Sequence, residues 1–231
     1  GVVLLDERWR RRPVGLVSGG GSGPDQPLLS SLYYLERALA PFAEVRQGNV
    51  AKLLARRLAL LVLADVGQIV GPDRARIEDW IDRGGVLLRF AGPRLAEHAD
   101  DLVPVPLRAG GRNLGGALTW TQPARLAPFA ASSPFAGLSP PDDVLVSRQV
   151  LAQPSLQLGS RTWARLADGT PLITADRRGR GWIVLVHTSA DTSWSNLSLS
   201  GLFVTMLQRI VALAEGVPGA AAVALPPLKV L

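Results

Sequence analysis

The 231 residues include no cysteine, and that absence removes disulfides, thiolate metal sites and a cysteine nucleophile together. Histidine is nearly missing as well. His98 and His187 stand far apart, with no His-x-x-x-His pair and no carboxylate array at ligand spacing, so neither a metal nor a cofactor is expected. Lysine is confined to Lys52 and Lys229, which leaves arginine to carry almost all of the positive charge behind the formal net +6. The longest unbroken apolar run, residues 58–64, falls far short of the ~20 residues that cross a bilayer. The first residues, beginning at Gly1, hold no apolar core of a signal peptide. The sequence therefore reads as a soluble piece of a longer protein.

What is present is the balance of a packed domain: 47% hydrophobic residues, 19% charged and 24 glycines. Such a length folds as one large α/β domain or two small ones and buries roughly 70–75% of its unfolded surface. The basic residues gather in two places, Arg8, Arg10, Arg11 and Arg12, and Arg177, Arg178 and Arg180. The first suits a flank next to a membrane and the second a hairpin tip. A nucleic-acid binder gathers its basic residues on one face with aromatics for stacking, and two short clusters read in these ways make no such face, so no nucleic-acid partner is expected.

Along the chain, residues 13–18 read as a buried strand running into the glycine run 19–23. Apolar residues then recur at Leu28, Leu32, Leu35 and Leu39 with helical spacing. Residues 43–47 form a short strand, 50–57 a short helix, and 58–64, apolar on both faces, a central parallel strand closed by Asp65. Gly71 and Pro72 open a helix that carries Ile77, Trp80 and Ile81 inward and stops at Gly84-Gly85; residues 86–90 are the next strand. Alternation of this kind predicts a doubly wound, three-layer flavodoxin-like sheet with a parallel core. Residues 103–158, rich in proline and glycine, read as an insertion of short strands and loops. Residues 161–166, 171–176 and 182–187 read as three antiparallel strands, helped by Asp168-Gly169. A last amphipathic helix carries Leu202, Phe203, Met206 and Ile210, with Ser198 as its predicted cap. The division is thus a linker over 1–13, an α/β domain over 14–215 and a second linker over 216–231.

Three places could carry chemistry. Gly20, Gly21 and Ser22 follow a strand, where backbone N–H groups can cradle phosphate, but Pro24 stands where a dinucleotide fingerprint needs glycine and no lysine supplies a P-loop. The best-placed strand-to-helix elbow is centred on Ala91 and Gly92, neither of which can attack a substrate. The third is the turn after residue 186, with His187, Ser189, Asp191 and Trp194. There His187 is either a base oriented by Asp191, facing Asp65 across the crevice, or a half-buried residue that bonds the loop. In the second case Asp191, Ser193 and Asn196 serve turn backbone and Trp194 closes the core edge. On that reading Trp194→Ala costs much stability and His187→Ala little. His98 reads as a solvated helix-end residue.

Several stretches taken together carry a family likeness: Gln26 to Leu39 with its Tyr33-Tyr34 pair, the segment around Asp65, Trp80 to Gly85, Gly179-Arg180-Gly181-Trp182, and Asp191 to Leu197. They resemble the soluble domain of bacterial membrane proteins with an aerotolerance-regulator (BatA-like) amino-terminal region. The resemblance implies a class I glutamine amidotransferase-like fold, membrane anchoring through flanking segments, a periplasmic position and protein partners in a membrane-associated assembly. Relatives that perform amidotransfer use a cysteine at the elbow and a His-x-Glu at a later strand end. Here Ala91 stands at the elbow and Ser189 two residues after His187. The resemblance therefore implies the scaffold without the reaction.

Overall fold

The computed structural model describes residues 11–20, 31–108 and 117–214. Their centre is a seven-stranded sheet in the order β2-β1-β3-β4-β9-β8-β7. β1 (Arg12–Ser18), β2 (Ala43–Gln47), β3 (Leu60–Ala64), β4 (Val86–Phe90) and β9 (Gly181–Val186) run parallel. β8 (Pro171–Arg178) and β7 (Thr162–Arg165) extend that sheet antiparallel. β3 and β4 are buried at every position, as strands covered on both faces must be.

The cover comes from helices whose apolar stripes the periodicity foretold. On one face α1 (Ser31–Leu39) and α5 (Gly201–Leu213) pack Leu35, Leu39, Phe203, Met206 and Ile210 onto Leu16, Val62 and Leu88. On the other, α2 (Val50–Leu54) and α3 (Gly71–Asp82) set Leu53, Ile77, Trp80 and Ile81 against Leu61, Leu63 and Leu87. A short α4 (Pro93–Glu97) follows β4, and His98 ends it, exposed as expected. The insertion supplies one antiparallel pair, β5 (Ala117–Arg125) and β6 (Leu145–Val150), whose register shifts between Thr119 and Ala124 around Pro123. The fold is the three-layer, mostly parallel α/β arrangement that the alternation predicts.

One boundary differs from expectation. Ser198 does not cap the last helix, because Leu197–Leu199 forms its own 3-10 turn and leaves the Ser198 hydroxyl buried without a partner. Ser200 caps α5 instead, its Oγ accepting from Phe203 N at 3.3 Å. At the opposite end of α5, the Arg12 guanidinium donates to the carbonyls of Val211 (2.7 Å), Ala212 and Ala214. Carbonyls at a helix end lack the full set of bonds found inside it, so an arginine on β1 ties the two ends of the described chain together at the amino edge of the sheet.

The exception inside the apolar run of β4 is Arg89, which is fully buried. Its guanidinium meets the Asp100 carboxylate and donates to the carbonyls of Leu102 (3.1 Å), Val66 (2.8 Å) and Gly67 (2.9 Å). Asp100 in turn accepts from the backbone N–H groups of Ile69 (2.8 Å) and Leu102 (3.0 Å). Two loops that leave the sheet separately are thus pinned by one buried ion pair. Removing one partner of such a pair leaves an uncompensated charge, so Asp100→Ala is expected to cost about 3–5 kcal/mol in urea unfolding. A loss below about 1 kcal/mol would show that the pair pins nothing.

Candidate ligand-binding crevice at the carboxyl edge

In open α/β sheets ligands bind beyond the carboxyl ends of the strands, where the connections diverge. Here β1, β3, β4 and β9 end on Gly19-Gly20, Asp65, Ala91-Gly92 and the segment from His187 to Asp191. Gly19 N donates to Ala64 O at 3.0 Å, and a Cβ at Gly19 would fall 1.8 Å from the Asp65 carbonyl oxygen. Only glycine lets the two strand ends approach so closely.

Asp65 organises this edge. It is the one non-glycine residue with positive φ (50°) among those described, a left-handed conformation that aspartate tolerates better than most residues. Its Oδ1 accepts from Arg94 N at 2.9 Å and Leu95 N at 3.2 Å, so a carboxylate at the end of β3 caps a helix that follows β4. The helix needs that help, because its own cap position is Gly92. A Cβ at Gly92 would lie 2.3 Å from Asp65 Cγ. Arg94 Nη1 stands 3.5 Å from Asp65 Oδ2, and the same guanidinium rests over Gly20, where a Cβ would come within 3.3 Å.

Burial pushes the Asp65 carboxyl above its ordinary value. The two backbone N–H bonds and the Arg94 charge pull it back, while the charge of Asp191 adds to the upward push. The two carboxylates therefore sense one another across the crevice. Asp191 Oδ1 accepts from Ser189 Oγ at 2.8 Å and from Ser193 N at 2.9 Å, a turn closed by its own aspartate as the sequence suggests. Asn196 also serves turn backbone: its Oδ1 accepts from Leu145 N at 2.7 Å and its Nδ2 donates to Asp143 O at 2.7 Å.

His187 does not line the crevice, and neither the catalytic reading nor the half-buried one holds. The ring is fully buried behind the edge, with Nδ1 2.8 Å from the Val150 carbonyl and Nε2 2.9 Å from Thr174 Oγ1. The carbonyl can only accept, so Nδ1 carries the proton and Nε2 accepts from the threonine hydroxyl. Both nitrogens are thus engaged by groups other than Asp191. Burial holds the imidazole neutral, with its pKa lowered from 6.5 to about 4. Trp194 likewise packs inward with Ala91, Leu95, Val150 and Leu185, while its carbonyl accepts from Ser147 N (2.8 Å) and Arg148 N (3.1 Å) on β6.

Of the residues singled out from the sequence, the structure gathers Gly20, Asp65, Gly92, Ser189 and Asp191 at the crevice. Ala91, His187 and Trp194 form its backing, and Gly21 and Ser22 lie outside the described residues. Sequence reasoning missed Arg94 as the crevice cation. The signal was its place in the first turn of a helix opened by Gly92-Pro93 at a strand end. Among the described residues no group of metal-ligating side chains gathers.

No family model and no curated protein matches the chain. Solved structures do. The cytoplasmic protein STM1381 from Salmonella typhimurium LT2 superposes with a TM-score of 0.65 at 12% identity, over 88% of this chain and 99% of that one. A ThuA-like protein from Bacteroides uniformis gives 0.57 at 10% identity, over 93% and 95%. At such identities the likeness fixes the fold, a glutamine amidotransferase-like α/β sheet, and carries no chemistry with it.

The buried imidazole makes stability depend on pH. The unfolded chain takes up the proton near pH 6.5 and the folded chain only near 4, so the contribution of the neutral ring is complete above about 6.5 and is lost as pH falls toward 4. The loss across that window is about 3 kcal/mol. His187→Gln should flatten the pH dependence of unfolding between 7 and 4.5. His187→Ala, which strands the Val150 carbonyl and the Thr174 hydroxyl, should destabilise at neutral pH by about 2 kcal/mol or more, against the small effect expected from sequence. Trp194→Ala should cost about 3–5 kcal/mol. Calorimetric unfolding of the three variants measures all of these effects.

Proposed function

We propose that the chain is a non-catalytic, glutamine amidotransferase-like domain that binds a ligand or protein partner at its carboxyl-edge crevice. On this proposal it belongs to a membrane-anchored protein of the BatA-like kind and faces the periplasm within a membrane-associated assembly. The observation that carries the reading is the state of the elbow. Ala91 offers a buried methyl group where an attacking atom would stand, and the histidine behind it is neutral and fully hydrogen-bonded. Without a nucleophile and its base, acyl transfer has no first step. What is left is a crevice of fixed polar groups: Asp65, Arg94, Ser189 and Asp191. The clamp between Arg12 and α5 also supports the anchored arrangement, since it places both ends of the described chain at the amino edge, opposite the crevice.

A second reading, a hydrolase or carbohydrate-active enzyme, draws on the Asp65 carboxyl at the crevice, which burial pushes above its ordinary value, since perturbed carboxyl groups in clefts often perform acid–base work. One screen decides between the two. The purified chain, assayed against glutamine, simple esters and aryl glycosides, should show no turnover above buffer. Turnover that disappears in Asp65→Asn or Asp191→Asn would replace the binding domain with an enzyme.

A further inference from the structure

The edge opposite the crevice has a character of its own. We infer that the amino edge of the sheet is a docking face for an anionic lipid surface. The inference deepens the membrane-anchored reading given above, although it stands on a separate observation, the segregation of charge.

Neighbouring strands lie about 5 Å apart, so residues that precede consecutive strands form a row. Arg11 precedes β1, Arg56 precedes β3, Arg83 precedes β4, and Arg177 and Arg180 flank the hairpin between β8 and β9. All five are exposed, and the strands they flank are neighbours in the order β1-β3-β4-β9-β8. The row is held in place. Arg180 N donates to Asp82 O (3.2 Å) and its Nη2 to Arg83 O (3.2 Å), which seats the hairpin on the end of α3, and the Arg177 guanidinium lies over the Trp182 ring.

Acidic groups at this edge are fewer. Asp79 pairs with Arg83, Glu44 pairs with Arg46, and Asp82 lies beside the hairpin. Helix ends that point here add roughly half a negative charge each, but Arg12 meets that of α5 and Arg46 that of Glu44, so the edge keeps an excess of positive charge. Arginine side chains suit such a face, since each guanidinium meets phosphate oxygens in a planar, bidentate fashion. The clamp between Arg12 and α5 brings both ends of the described chain to the same edge as the row. At the other edge the charge is mixed, with Asp65 and Asp191 beside Arg94 at the crevice, which would face away from the lipid.

The test is co-sedimentation of the purified chain with vesicles of phosphatidylcholine containing 30% phosphatidylglycerol, against phosphatidylcholine alone. Binding should require the anionic lipid and fall away between 50 and 300 mM salt. The double variant Arg177→Glu/Arg180→Glu should lower the partition coefficient about tenfold or more. Arg125→Glu, on β5 and away from this edge, should leave it unchanged. No dependence on anionic lipid, or equal binding by the double variant, would overturn the inference. So would a 20-base-pair DNA duplex that displaces the chain from vesicles at equal charge concentration, since the face would then prefer nucleic acid. Membrane fractionation of the full-length protein reads anchoring separately: a protein found in membranes whose chain ignores vesicles keeps its anchor and loses this face.

Discussion

A single residue, Asp65, ties the end of β3 to its neighbours on either side, its carbonyl lying against Gly19 after β1 and its carboxylate capping the helix after β4. It sits in a left-handed conformation that few side chains accept, and from there it caps a helix belonging to the next strand. Everything around it is small or complementary. Gly19 and Gly92 leave room that any Cβ would fill, and Arg94 balances part of its charge. Backbone strain of this sort persists only where the surroundings over-determine it. The crevice is therefore preorganised by the same contacts that hold the fold together, and its polar groups are fixed before any ligand arrives.

Behind that edge stands a second polar layer that is entirely internal. Arg89 with Asp100, and His187 with Thr174 and Val150, are buried and hydrogen-bonded, and each joins segments that the apolar core alone would not lock together. The distinction matters for function. A buried imidazole with both nitrogens engaged is a structural crosslink, whatever its position suggests, while the exposed Arg94 and the half-buried Asp65 remain available to a ligand.

Much of the fold was legible in the chain because the signals were local. The unbroken apolar runs of β3 and β4, the Ile77-Trp80-Ile81 stripe and the turn chemistry at Gly84 and Asp168-Gly169 each point to one conformation. The site was less legible because its contacts are long-range. Asp65 and Arg94 lie 29 positions apart in sequence and meet through helix capping, and no spacing rule links them. The depth of His187 was hidden for a similar reason. Its partners come from β6 and β8, so the ring is closed over by the antiparallel addition to the sheet together with the separate β5-β6 pair. Ser198 failed as a cap because an unforeseen 3-10 turn displaced the helix start by two residues.

The grip of Arg12 on the last carbonyls of α5 has a mechanical consequence. Tension applied through residues 12 and 214 would act between two points already in contact, loading that one guanidinium before any rung of the sheet is sheared. The interior strands would stay shielded from pulling until the clasp opened. A domain fastened in this way behaves as a bead held at a single point, free to swivel while its shape stays intact.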